Sequence, residues 1–167
     1  MMLPVQPRPA SDSRSVLVRW MGVMDANTAG FVHGGWVMKW CDEVAGLAAI
    51  KHSRRRVVTA GVDRMVFVHP VRVGDLLHLS ASVNAAWRTS MEVGVRVEAE
   101  NPVSGEVRHT NSAYLTMVAV DEAGRPIEVP PLLSATPEEE RRAQEAQLRR
   151  SNRLAERDQI SASREPE

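Results

Sequence analysis

The sequence predicts an α+β domain in which an antiparallel sheet wraps over one central helix. Three observations carry that expectation. Between Gly35 and about Lys51, residues Val37, Trp40, Cys41, Val44, Leu47 and Ala48 recur at three- and four-residue spacing, which defines a helix with one broad buried face. Downstream, long β-rich stretches follow one another with turn sequences between them. The composition, 43% hydrophobic and 25% charged over 167 residues, is that of one globular domain with a substantial core.

Residues 1–13 hold three prolines and no continuous apolar stretch, and read as a disordered lead, not a signal peptide. Residues 15–21 read as a short strand, and the connection after it carries the turn formers Asp25, Asn27 and Thr28. In the helix, the alanines and Gly46 keep part of the surface slim for close packing on a sheet. β-Rich stretches then lie at 57–68, stopped by Pro70, and at 76–87, 89–100 and 107–121. Val93, Val95 and Val97 alternate with Glu92, Gly94, Arg96 and Glu98, as on a half-buried strand. Thr136-Pro137-Glu138-Glu139 is a capping box, and it opens a helix at 137–157 with alternating charges, either solvated or a packing arm. The domain proper is therefore expected at 14–134, a C-terminal helical segment at 135–157, and a disordered tail at 158–167.

Twenty-one basic and 21 acidic residues balance, against the basic excess of nucleic-acid binders and of proteins held on anionic lipid. The single cysteine, Cys41, excludes an internal disulfide and a four-cysteine zinc site. On its apolar helix face it reads as packing. No run approaches the 18 or so apolar residues of a membrane span. These readings point to a cytoplasmic protein with neither a nucleic-acid nor a membrane partner.

The chemistry-bearing segment runs from Asn27-Thr28-Ala29-Gly30 through His33-Gly34-Gly35-Trp36-Val37-Met38-Lys39-Trp40-Cys41-Asp42. Three landmarks follow it in order: Val58-Thr59; Phe67-Val68-His69-Pro70-Val71 with Gly74-Asp75; and Thr89-Ser90-Met91-Glu92-Val93. Together they resemble the acyl-CoA thioesterases of the hotdog fold, in the cytosolic long-chain and broad-specificity acyl-CoA hydrolase group. The resemblance covers about residues 14–157. It departs from the family pattern at His33, where phenylalanine is common, and at Trp87-Arg88, where a glycine often precedes the Thr-Ser pair.

The resemblance implies a hotdog fold, with hydrolysis of acyl-CoA by water to a fatty acid and free coenzyme A. It implies no cofactor, since coenzyme A belongs to substrate and product. Asp42 becomes the general base for water or a nucleophile forming an anhydride, and the resemblance leaves both open. Asn27 becomes the residue that positions the water or the carbonyl, and Thr59 a substrate contact. Dimers of such proteins commonly assemble as a trimer of dimers.

The residues themselves support this reading. A glycine pair at a helix start lets a ligand approach backbone N–H groups that lack partners in the helix. Gly34 and Gly35 can thus stabilise a developing oxyanion, or merely permit tight helix–sheet packing. Asp42 has an ordinary alternative in an ion pair with Lys39, and Asn27 in a simple turn. Arg54, Arg55 and Arg56 can clamp the coenzyme A phosphates through arginine's fork geometry, or form a solvated connection. Arg88, Thr89 and Ser90 can touch pantetheine or nucleotide, or form a polar hairpin. His52, His69, His78 and His109 lack metal-ligand spacing, so no metal is expected. No G-x-S-x-G elbow marks a serine hydrolase.

Asp42 lies eight residues beyond Gly34, about 12 Å along a helix at 1.5 Å per residue. One carbonyl cannot reach both in the same chain. Two antiparallel central helices would bring one helix start beside the middle of the other, so a homodimer with shared active sites is expected. Two rival readings are a hotdog hydratase or dehydratase, which needs a His–Asp or His–Glu pair, and a non-catalytic acyl-CoA-binding protein, which would lack Asp42 or Asn27.

Overall fold

The computed structural model describes residues 6–163. In chain order the elements are β1 (Arg8–Pro9), β2 (Ser15–Trp20), α1 (Gly34–Ser53), β3 (Arg56–Val62), β4 (Leu76–Ala86), β5 (Ser90–Glu100), β6 (Val107–Val120), β7 (Leu132–Leu133) and α2 (Pro137–Ala162). Five strands form one antiparallel sheet in the order β2-β4-β5-β6-β3. Its concave face wraps α1. Alternation along β5 buries Met91, Val93, Val95, Val97 and Ala99 against that helix, as Leu77 and Leu79 do from β4 and Leu115 and Met117 from β6. From α1, Val37, Trp40, Cys41, Val44, Ala45, Ala48 and Ala49 complete the core. Each large side chain so buried stabilises the fold by roughly 1.5–3 kcal/mol. No helix among the described residues is long and apolar enough to cross a membrane.

Several local expectations are corrected. Leu47 is 51% exposed, because it points away from the sheet with Trp36 and Ile50. Gly46 also faces outward: a Cβ there would meet nothing within 4 Å, so buried alanines alone keep the packed face slim. The stretch at 57–68 pairs as a strand only to Val62, after a bulge between Thr59 and Gly61. Beyond it the chain keeps only single contacts with β6, such as the Val68 N–H to the Thr110 carbonyl at 2.8 Å.

Residues 6–13 of the expected disordered lead are built into the fold. β1 pairs in parallel with β7, and Ala10–Ser13 form one 3₁₀ turn. The Ser13 hydroxyl is buried, donating to the Ala10 carbonyl and accepting the Val83 N–H at 2.9 Å. Polar composition hid this order, because the serine serves the backbone there and not solvent. Residues 1–5 lie outside the described residues. The expected tail at 158–167 also starts too early, since α2 continues to Ala162 with no Gly or Pro to stop it. Residues 164–167 lie outside the described set.

α2 is a packing arm on the convex face of the sheet. Glu92, which the alternation placed towards solvent, is fully buried beneath it. Arg149 donates to both Glu92 oxygens at 2.7–3.2 Å, and the Asn84 amide adds a bond at 3.2 Å. Arg153 pairs with Asp63 at 2.6 Å, and Trp87 donates its indole N–H to Gln147 at 3.0 Å. The Arg149 guanidinium also covers the Tyr114 ring at 3.7 Å.

Candidate active site

α1 is an unbroken α-helix from Gly34, so the rise from Gly34 to Asp42 stands at about 12 Å. Asp42 is exposed on the flank of α1 that faces β3. Lys39 pairs with Glu43, one turn along, so the anticipated Lys39 ion pair is absent and the Asp42 carboxylate is not neutralised by it. Its Oδ1 accepts instead from the Thr59 hydroxyl at 2.5 Å. Thr59, grouped from sequence with the coenzyme A contacts, is thus hydrogen-bonded to Asp42. The pairing depends on β3 crossing the helix, which no local pattern encodes.

Asn27 does make a turn. Its Oδ1 accepts the Ala29 N–H at 2.9 Å and the Phe31 N–H at 3.2 Å. Its backbone N–H donates to the Phe31 carbonyl at 2.7 Å, and Gly30 closes the loop at φ +80°. Two N–H donors settle which end of the amide is oxygen. The Asn27 NH₂ has no partner among the described residues.

The two glycines differ. His33 is the helix N-cap, and its Nδ1 accepts the Gly35 N–H at 2.9 Å. The Trp36 N–H donates to the His33 carbonyl at 2.9 Å, whereas the Gly34 N–H has no acceptor among the described residues. The Phe67 ring lies over Gly34, 3.5 Å from where a Cβ would be. Neither His33 as a cap nor Phe67 as a wall was recognised from sequence. Two grooves of about 790 and 430 Å³ flank α2, and neither is lined by Asp42, Asn27 or the glycines.

The basic residues gather at the far end of α1. Arg54 closes the helix in the left-handed conformation, φ +54°, and Arg56 opens β3 opposite Val120. The β4–β5 hairpin meets the same end: Thr89 accepts the Ala119 N–H at 3.0 Å, and Ser90 lies opposite Val118. The side chains of Arg54, Arg55, Arg56 and Arg88 are exposed, and no ion pair holds them among the described residues. α2 adds Arg150, stacked 4.4 Å over the Trp87 ring and donating to Ser90 at 3.4 Å. Sequence reading missed Arg150, since only the docking of α2 carries it there.

Cys41, beside Asp42, is buried, and that burial pushes its thiol up to about 12, with the Asp42 charge adding to the effect. It stays a neutral packing group. Among the described residues no three His, Cys, Asp or Glu side chains cluster to hold a metal. The His78–Glu100 pair, at 2.7 Å, sits on the convex face of the sheet, because its neighbours Leu77 and Leu79 face α1.

Residues 29–106 match the Thioesterase superfamily. The chain is 35% identical to the cytosolic acyl coenzyme A thioester hydrolase of Rattus norvegicus over 150 residues, 89% of this chain and 39% of that protein. It thus spans about two fifths of the length of that mammalian relative. An apo-hexameric acyl-CoA thioesterase superposes with a TM-score of 0.88 at 41% identity, covering 91% of this chain and 97% of that one. The acyl-CoA hydrolase of Staphylococcus aureus, solved with butyryl coenzyme A, coenzyme A and coenzyme A disulfide, gives 0.86 at 31% identity, covering 93% and 95%. That enzyme has also been solved with an asparagine, an aspartate and a threonine each replaced by alanine, and these three are separated by 15 and 17 residues. Asn27, Asp42 and Thr59 have the same separations. Fold and sequence agree over nearly the whole length of both molecules, and the chain belongs to the hotdog-fold acyl-CoA thioesterases.

Proposed function

We propose that this chain hydrolyses acyl-CoA, in the cytosol, to a free fatty acid and coenzyme A. The observation that carries the reading is the Asp42 carboxylate, free of Lys39 and oriented by Thr59 on the flank of an unbroken helix. As a base, Asp42 takes a proton from water while the hydroxide oxygen bonds to the thioester carbonyl carbon. The oxyanion forms against the Gly34 N–H and the Asn27 NH₂, and a well-aimed donor there contributes about 3–4 kcal/mol. The C–S bond then breaks, and the departing thiolate takes up the proton. As a nucleophile, Asp42 would bond to that carbon directly, expel the thiolate, and leave an anhydride for water to cleave.

The helix rise separates these parts within one chain, so the reading includes a homodimer. Among the described residues β3 is an edge strand with one side unpaired, and Val58 on it and Trp36, Leu47 and Ile50 on α1 expose apolar surface. Pairing there sets two α1 helices antiparallel and brings Asp42 of one protomer to the Gly34 end of its partner. A trimer of such dimers is the assembly we propose, in keeping with the hexameric relative.

The test is thiol release across an acyl-CoA chain-length series, run with a chelator. Full turnover in the chelator is expected, since the site asks only for a carboxylate, an amide and a backbone donor. Turnover that the chelator abolishes and added metal restores would overturn this mechanism.

The arginine cluster supplies a second test. Neutralising Arg54 and Arg55 together should raise KM for acyl-CoA roughly tenfold with little change in kcat, because contacts remote from the carbonyl bind ground and transition states alike. A short thioester lacking the nucleotide should be hydrolysed as before. Equal losses on both substrates would assign the arginines to the fold.

A further inference from the structure

We infer that His33 removes the Gly35 N–H from the set of oxyanion donors, leaves Gly34 as the backbone donor, and sets the direction of that donor. This deepens the thioester reading and rests on it. Three facts lead here. The His33 Nδ1 accepts the Gly35 N–H at 2.9 Å, so that donor is engaged. The Gly34 N–H, one residue earlier, has no acceptor among the described residues. A Cβ on Gly35 would lie 2.9 Å from the His33 Nδ1 and 3.1 Å from its Cε1, whereas one on Gly34 would make an ordinary 3.5 Å contact with Phe67.

The glycine pair therefore divides its work. Gly34 is bare where the carbonyl arrives, and its N–H is free. Gly35 has no Cβ, which leaves room for the imidazole beside the first turn. With its ring held by Gly35 and its backbone N–H donating to the Asp25 carbonyl at 2.8 Å, His33 joins the Asn27 loop to the helix start. That joint sets the direction of the Gly34 N–H. His33 is a positioning residue: it touches the helix, and it acts on the carbonyl through Gly34.

The test is a double-mutant cycle on the full-length protein with His33→Ala, Gly35→Ala and both together. Each single change breaks the same contact, so each should lower kcat by about three- to tenfold, with KM within about twofold. The double variant should be no worse than either single. His33→Asn, which keeps a side-chain acceptor at the N-cap, should restore most of kcat. Melting temperature gives a readout independent of activity: each single should lose about 2–4 °C, and the double no more.

Gly35→Ala losing far more activity than His33→Ala, with losses that multiply in the double variant, would overturn the inference and make Gly35 a direct neighbour of the substrate. Additive melting losses would overturn the cap itself. A wild-type protein that releases no thiol from any acyl-CoA, yet shows the non-additive melting cycle, would overturn the thioesterase reading and the Gly34 role with it, and would leave His33 as the cap of the helix alone.

Discussion

Asp42→Ala should lower kcat for acyl-CoA by about 10²–10⁴-fold, the usual contribution of a positioned acid–base group. Asn27→Asp should be nearly as inactive. It keeps an oxygen for the Ala29 and Phe31 N–H groups, so the loop survives, but it replaces the free NH₂ with an acceptor. The informative step is to dissociate the two variants and reassemble them together. If Asn27 and Gly34 of one protomer serve the carbonyl attacked through its partner's Asp42, each mixed dimer has one site with both lesions and one with neither. About half the dimers are mixed under random pairing, so roughly a quarter of wild-type sites return, because residues acting as one unit are lost or kept together. Mass spectrometry confirms the mixing. Mixed dimers as inactive as their parents would place Asn27 and Asp42 in the same half of the site. Hydrolysis in ¹⁸O-water then separates the two roles of Asp42, since label entering its own carboxylate requires the anhydride.

Arg149→Ala should destabilise the protein by about 3 kcal/mol, the low end of the range for stranding a buried charge, because Arg153 still lies 3.6 Å from Glu92. Glu92 is fully buried, and its partner supplies three of the hydrogen bonds it accepts. Urea denaturation measures the loss. Removing both charges, as Glu92→Met with Arg149→Met, should recover most of it, since the penalty belongs to the unpaired carboxylate and not to the absence of the pair. A double variant as unstable as Arg149→Ala would mean that α2 is held by the shape of the arginine over Tyr114.

What the sequence determined by itself was whatever depends on near neighbours. The helix at Gly34–Ser53 and strands β4 to β6 fall within a few residues of their expected spans, because repeat spacing reports which side of an element is buried. The resemblance proposed Asp42, Asn27 and the glycines as site residues, and their short intervals place them along one helix and its leading loop. The tertiary structure decided everything that needed a partner from elsewhere. Glu92 reads as solvent-facing until α2 covers it, and Leu47 reads as core until the sheet is seen to reach only the opposite flank. Ser13 looked disordered because a hydroxyl says nothing of the Val83 N–H, 70 residues away, whose hydrogen bond it accepts. Lys39 had Asp42 and Glu43 equally within helical reach, and the Thr59 hydroxyl, 17 residues on, satisfied the first and left the second. Periodicity records that a face is buried; which side chain meets it is settled only when strands distant in the chain close over the helix.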